Sequence, residues 1–169
     1  TGRGDVICVL PGHAENVSAA DMASHMDSIA GFKIVGLGAG LMRPSFTWTV
    51  AASSLLLDTN NVTISNCQLF LAGAHVTGAA LTVAAPITVS GNGCSIVGCD
   101  IWWGFEVDRI VGDGIIVTGD DFNFIGNRCE ALVAAVPSNT FLTLTGADRC
   151  FIAGNWIKGP TDATIRGVI

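Results

Sequence analysis

The sequence predicts an all-β chain wound as a parallel β-helix, a solenoid of about five coils with 28–32 residues in each. Three observations predict it. Nearly the same phrase recurs as "NVTISNCQLF" at 61–70, "FNFIGNRCE" at 122–130 and "CFIAGNWIKG" at 150–159. Within each phrase apolar residues alternate with period two, which marks strand rather than helix, because successive side chains point to opposite faces. Each phrase follows a second apolar run across a bend rich in Asn, Asp and Gly: "DTNN", "SGNG", "TGDD", "TGAD". Those residues tolerate the left-handed backbone of a sharp turn.

Aligned on the central apolar residue, the phrases place Ile34, Ile64, Ile96, Phe124 and Ile152 in one column, at spacings of 30, 32, 28 and 28 residues. Phe32, Val62, Cys94, Phe122 and Cys150 stand two residues earlier. Leu37, Cys67, Cys99, Asn127 and Asn155 stand three residues later, and Leu69, Ile101, Cys129 and Ile157 five later. The preceding strand has its own column, Leu57, Val89, Val117 and Leu144. A coil of this size buries too few aliphatic side chains to offset the entropy of ordering its backbone. It must lie on the coil before it, with like residues stacked about 4.8 Å apart. In the Asn127/Asn155 column this stacking predicts an amide ladder. In the Cys67/Cys99 column it predicts stacked thiols rather than a disulfide.

The chain reads as one domain, 1–169, whose open ends need caps. "SAADMASHMDSIAG" carries Ser18 and Asp21 in capping-box fashion and Met22, Met26 and Ile29 on one helical face, so 18–30 is the candidate N-terminal capping helix. A degraded strand over 25–29 is the alternative. "ATIRGVI" near the end reads as a strand whose edge another chain, or a continuation, would cover. No basic-then-apolar leader follows Thr1, and a chain without initiator Met is expected to be processed, trimmed or partial.

Half of the residues are hydrophobic and only 13% are charged, against about 25% in ordinary domains. Such a surface favours association with its own copies or a larger assembly. A net charge of −6 without a basic stripe argues against nucleic acid. No apolar run approaches the ~18 residues of a membrane span. The six cysteines fall largely in apolar strands, which suits buried thiols assembled in a reducing cytoplasm.

Candidate chemistry is sparse. "RGD" at 3–5 is an integrin-binding tripeptide in some extracellular proteins, but three residues arise easily by chance and chance is the default reading at this strand start. His13 and Glu15 have no third ligand at metal spacing. Asn60, Asn92, Asp120 and Asp148 form a bend column with Asp121 beside it, a candidate cation site or acid/base pair. The competing reading is that bends take Asn and Asp for backbone reasons. "GFEVDRIVGDG" places Glu106, Asp108 and Arg109 beyond Trp102 and Trp103, a candidate subunit or glycan contact with one ring outward. "TGDDFNF" is similar to the paired-Asp motif of polygalacturonase-type hydrolases, but the Gly-His-Gly and Arg-x-Lys elements are missing. No lyase base and no Ser-His-Asp arrangement can be assembled, so neither an enzyme nor a cofactor is expected.

"GDVICVLPGHAENV", "GFKIVGLGAGLMRPSFTW" and "NNVTISNCQLF" resemble right-handed, pectate-lyase-like parallel β-helix proteins among the structural genes of tailed bacteriophages. The resemblance covers about residues 2–70, with Gly36, Gly38, Gly40, Arg43 and Pro44 matching the structural link between coils. It implies a virion component of head or tail, commonly a trimer, and carries no catalytic residue across. The expectation is a capsid-decorating or cementing protein, assembled in the host cytoplasm and bound to its own copies and to capsid protein. A tail-spike or fibre module that binds or degrades host polysaccharide is the alternative; a secreted bacterial adhesin is a third.

Overall fold

The computed structural model describes residues 4–18, 30–71, 81–83, 85–103, 109–131 and 140–159. The chain passes through β1 (Val6–Val9) and β2 (Ala14–Val17), then β3 (Lys33–Gly36) and β4 (Ser45–Trp48). A third pass is β5 (Leu55–Leu57), β6 (Thr63–Ser65), β7 (Gln68–Leu71) and β8 (Leu81–Val83). A fourth is β9 (Ile87–Val89), β10 (Ser95–Val97), β11 (Asp100–Trp103) and β12 (Arg109–Val111). The last two are β13 (Asp113–Val117), β14 (Asn123–Ile125), β15 (Arg128–Ala131), and β16 (Thr140–Leu144), β17 (Phe151–Ala153), β18 (Trp156–Lys158).

Every pairing is parallel and joins one pass to the next. We call the three main sheets by their place: the front sheet β1-β3-β6-β10-β14-β17, the side sheet β2-β4-β7-β11-β15-β18, and the back sheet β5-β9-β13-β16. β8 and β12 form a fourth, two-stranded sheet. The chain is therefore a parallel β-solenoid with about four turns that carry all three main sheets, close to the five expected.

The register is the one the repeat predicts. Ile34, Ile64, Ile96, Phe124 and Ile152 are stacked partners, as are Leu69, Ile101, Cys129 and Ile157, and Leu57, Val89, Val117 and Leu144. The middle rungs of these columns are buried and form one continuous core with Trp48, Phe122 and Trp103. The front sheet gains a further rung, because Ile7 pairs with Ile34. On each side of the front rungs the backbone is left-handed: Gly31, Asn61, Gly93, Asp121 and Arg149 before them, and Asn66, Gly98, Gly126 and Gly154 after the last four.

One column needs correction. Leu37 does not join Cys67 and Cys99; it is 37% exposed. In its coil the corner is lengthened by a short 3-10 turn, Gly40–Met42, and buried Pro44 takes the inner place. The bonds show it: Gln68 N donates to Pro44 O at 2.8 Å, as Asp100 N does to Cys67 O and Arg128 N to Cys99 O, each at 2.9 Å. All six cysteines are free thiols, so Cys67 and Cys99 stack without a bond. The candidate capping helix and the "ATIRGVI" strand lie outside the described residues, 18 and 30 of the former excepted. Among the described residues no helix is long and apolar enough to cross a membrane.

Candidate functional site

Because side chains alternate along each strand, every rung of the front and side sheets presents two outward positions, and the register strings them into columns. On the side sheet one outward column is Asn16, Thr47, Phe70, Trp102, Glu130 and Lys158. The other ends in Asp100, Arg128 and Trp156. Together they build an aromatic and cationic strip across four rungs. Phe70 meets Trp102 edge to face with ring centroids 4.8 Å apart. The Arg128 guanidinium then lies 6.0 Å from the Trp102 ring and 5.2 Å from the Trp156 ring, a cation held between two π faces. Trp156 is 48% exposed.

The charges of the strip are paired. Glu130 accepts from Lys158 Nζ at 2.8 Å and from Arg128 Nη2 at 2.7 Å. The Lys158 hydrogen bond is the chief reason its carboxyl is held below the usual carboxylate range. Higher on the same face Arg43 reaches past the intervening coil to bond the Asp100 carboxylate, and its Nη1 donates to Gly98 O. The link "GLMRP" thus ties its own coil to the one two rungs on.

Of the residues read as a candidate contact, Trp102 faces outward, half-buried, and Trp103 faces the core, stacked on Phe141 at 4.6 Å. Neither indole Nε1 finds a hydrogen-bond partner among the described residues. Glu106 and Asp108 lie outside the described residues; Arg109 opens β12 in register with Leu81. Phe70, Arg128 and Trp156 were not singled out from sequence. Arg128 and Trp156 follow one another at the 28-residue spacing of the repeat, so the periodicity contained that signal.

The bend column comes together as read. Asn60 Oδ1 accepts the backbone N–H of Asn92, Asn92 Oδ1 that of Asp120, and Asp120 Oδ1 that of Asp148, each at 2.9 Å. Asp121 takes the Arg149 guanidinium with both oxygens, at 2.7 and 2.9 Å. That bidentate hydrogen bond holds the Asp121 carboxyl below its ordinary range, which makes it a poor proton donor near neutrality. The side-chain oxygens here bond backbone amides and the chain's own guanidinium. Among the described residues no group of three or more His, Cys, Asp or Glu side chains is placed to hold a metal.

Fold and surface together define a parallel β-solenoid whose distinctive side chains stand on its outer faces. No family model, no curated protein and no solved structure matches the chain.

Proposed function

We propose that this chain is a structural, non-enzymatic β-solenoid of a tailed-phage virion, acting by association with its own copies, as a homotrimer, on the capsid surface. The observation that carries the self-association is the outer face of the front sheet. Its two outward columns are Val6, Lys33, Thr63, Ser95, Asn123, Phe151 and Cys8, Val35, Ser65, Val97, Ile125, Ala153. Among these twelve residues only Lys33 is charged. An almost uncharged face over six parallel rungs is what a lateral subunit contact uses and what an isolated monomer avoids. The virion assignment itself rests on the resemblance over residues 2–70.

Solution mass by light scattering tests the contact. The native chain should run as an oligomer, and Val97→Lys with Ile125→Lys should give a folded monomer. Affinity-tagged chain should also be retained on purified tailed-phage capsids in high copy. A native monomer at high concentration, with no retention on capsids, would refute the reading.

A second reading, glycan binding, is favoured by Trp156, the ring of the side-sheet strip with the greater exposure. An exposed indole beside Arg128 and Lys158 suits a sugar ring. It predicts glycan-array binding lost in Trp156→Ala. Trp103→Ala is unsuitable, since it removes core packing.

A further inference from the structure

We propose that the first rung bars a second copy from stacking end to end, and that Glu15, seconded by Asp5, is the bar. The inference is independent of the lateral contact above. A solenoid is self-complementary by construction: each rung is built to lie on another, and its last rung offers the same surface that inner rungs bury. Here the last described rung exposes residues of its inward columns, Ile152 at 43% and Ile157 at 37%. The first rung does the same with Ile7 at 51%. Continuing the observed register by one step sets Ile152 on Ile7 of a second copy, a match that would propagate into an open filament.

The neighbouring inward column breaks the match. Its members are Glu15, Phe46, Leu69, Ile101, Cys129 and Ile157, apolar at every rung but the first. Stacking would lay Ile157 on the Glu15 carboxylate and strip it of water. Among the described residues its ionic neighbour is His13, whose Nε2 is 3.5 Å away. The column of Phe32, Val62, Cys94 and Phe122 begins in the same way with Asp5. Lys33 N donates to Asp5 O just as Thr63 N does to Phe32 O and Ser95 N to Val62 O. Two of the first rung's inward positions are therefore acidic, where the rungs beneath carry apolar residues. An inward-pointing charge on an edge rung is a known way to keep strand edges from pairing.

Sedimentation of the 169-residue chain and electron microscopy of its particles test this. Glu15→Leu, alone and with Asp5→Val, should tighten end-to-end association at least about a hundredfold, giving rods that lengthen with concentration. Glu15→Lys should stay at the native mass, since a charge of either sign bars the rung. Ile152→Glu in the Glu15→Leu background should abolish the rods, proving that the last rung is the other partner. Should the double variant misfold by circular dichroism, the single substitution at this exposed position decides. Folded Glu15→Leu protein of native mass would overturn the proposal. So would a native chain already stacked, its mass falling in Ile152→Glu alone. Lateral oligomers would respond to neither end substitution, so the two proposals fail separately.

Discussion

The side-chain amide of Asn127 donates to Oδ1 of Asn155, one coil further on, at 3.0 Å, and that same oxygen accepts the backbone N–H of Asn127 at 2.8 Å. Asn127 repeats the pattern one coil back, its Oδ1 accepting Cys99 N–H at 2.9 Å and its Nδ2 donating to Ile96 O at 3.0 Å. This ladder runs opposite to that of the bend column, where the earlier coil's oxygen accepts from the later coil's amide. The two corners flanking each of these rungs are thus bonded to neighbours in opposite senses, which resists sliding of one coil on the next.

Asn127 is 1% exposed, so its partners have no water to turn to. Asn127→Leu strands the buried Cys99 N–H, while the Ile96 C=O loses its side-chain donor but keeps its place in the ladder with Ile125. Urea denaturation should show a loss of about 1–3 kcal/mol, the cost of one buried group left unpaired. Asn155→Ala, at the half-exposed last rung, should lose about 1 kcal/mol.

The thiols divide by burial. Cys67, Cys94, Cys99 and Cys129 are buried, whereas Cys8 is exposed and Cys150 half-buried. Burial pushes the Cys67 thiol up to about 11 and Cys99 up to about 12, and raises Cys94 and Cys129 as well. Since the thiolate is the reactive form, the native protein at neutral pH should give rapid reaction with a disulfide reagent only at Cys8 and Cys150. All six should react in denaturant. Fast labelling of Cys99 in the folded state, read by mass spectrometry, would contradict the packing.

How much of this was legible in sequence depends on which side of the wall a residue faces. Inward residues such as Ile64, Ile96 and Phe124 must be apolar at every rung, so their period gave the register without error. Ile7 obeys the same rule 27 residues before Ile34 yet lay beyond the aligned phrases. The side-sheet rung Ala14–Val17 hides its period because Glu15 stands in an inward place. Leu37 misled because counting from Ile34 assumes a corner of constant length, and the turn at Gly40–Met42 lengthens it. Outward residues obey no such rule. Trp156 and Arg128 become a site only once Trp102 is known to lie beside them, information carried by the register and not by composition.

Asp121 and Arg149 make stability depend on pH in a definite direction. The folded carboxyl titrates below its ordinary value because Arg149 hydrogen-bonds its charged form. Its contribution is therefore complete above the unfolded value of about 3.9 and is lost as pH falls through the lower folded value. Asp121→Asn should melt below the native protein at neutral pH and low salt, with the gap closing in acid and in high salt. The backbone does not confound the comparison, since Asn61 holds the same left-handed corner two coils earlier. A gap that persists unchanged at pH 2 would sever the link.

Rung spacing is set where backbone meets backbone, and glycine substitutions separate that contact from backbone conformation. A Cβ on Gly119 would sit 2.3 Å from the carbonyl oxygen of Gly91, and one on Gly91 2.2 Å from that of Thr59. Neither neighbour is a side chain that can turn aside, so Gly119→Ala must push two coils apart. The expected loss is about 1–3 kcal/mol from overpacking. Gly126 offers the contrast: a Cβ there meets nothing within 4 Å, but φ is +65°. Gly126→Ala should lose about 1 kcal/mol through the left-handed backbone alone. Gly126→Asn should lose less, because Asn66 already occupies that corner at φ 56°. Thermal melts should rank Gly119→Ala as most damaging, then Gly126→Ala, then Gly126→Asn. A reversed order would mean that the corners, not the close contact of stacked carbonyls, set how tightly the coils lie.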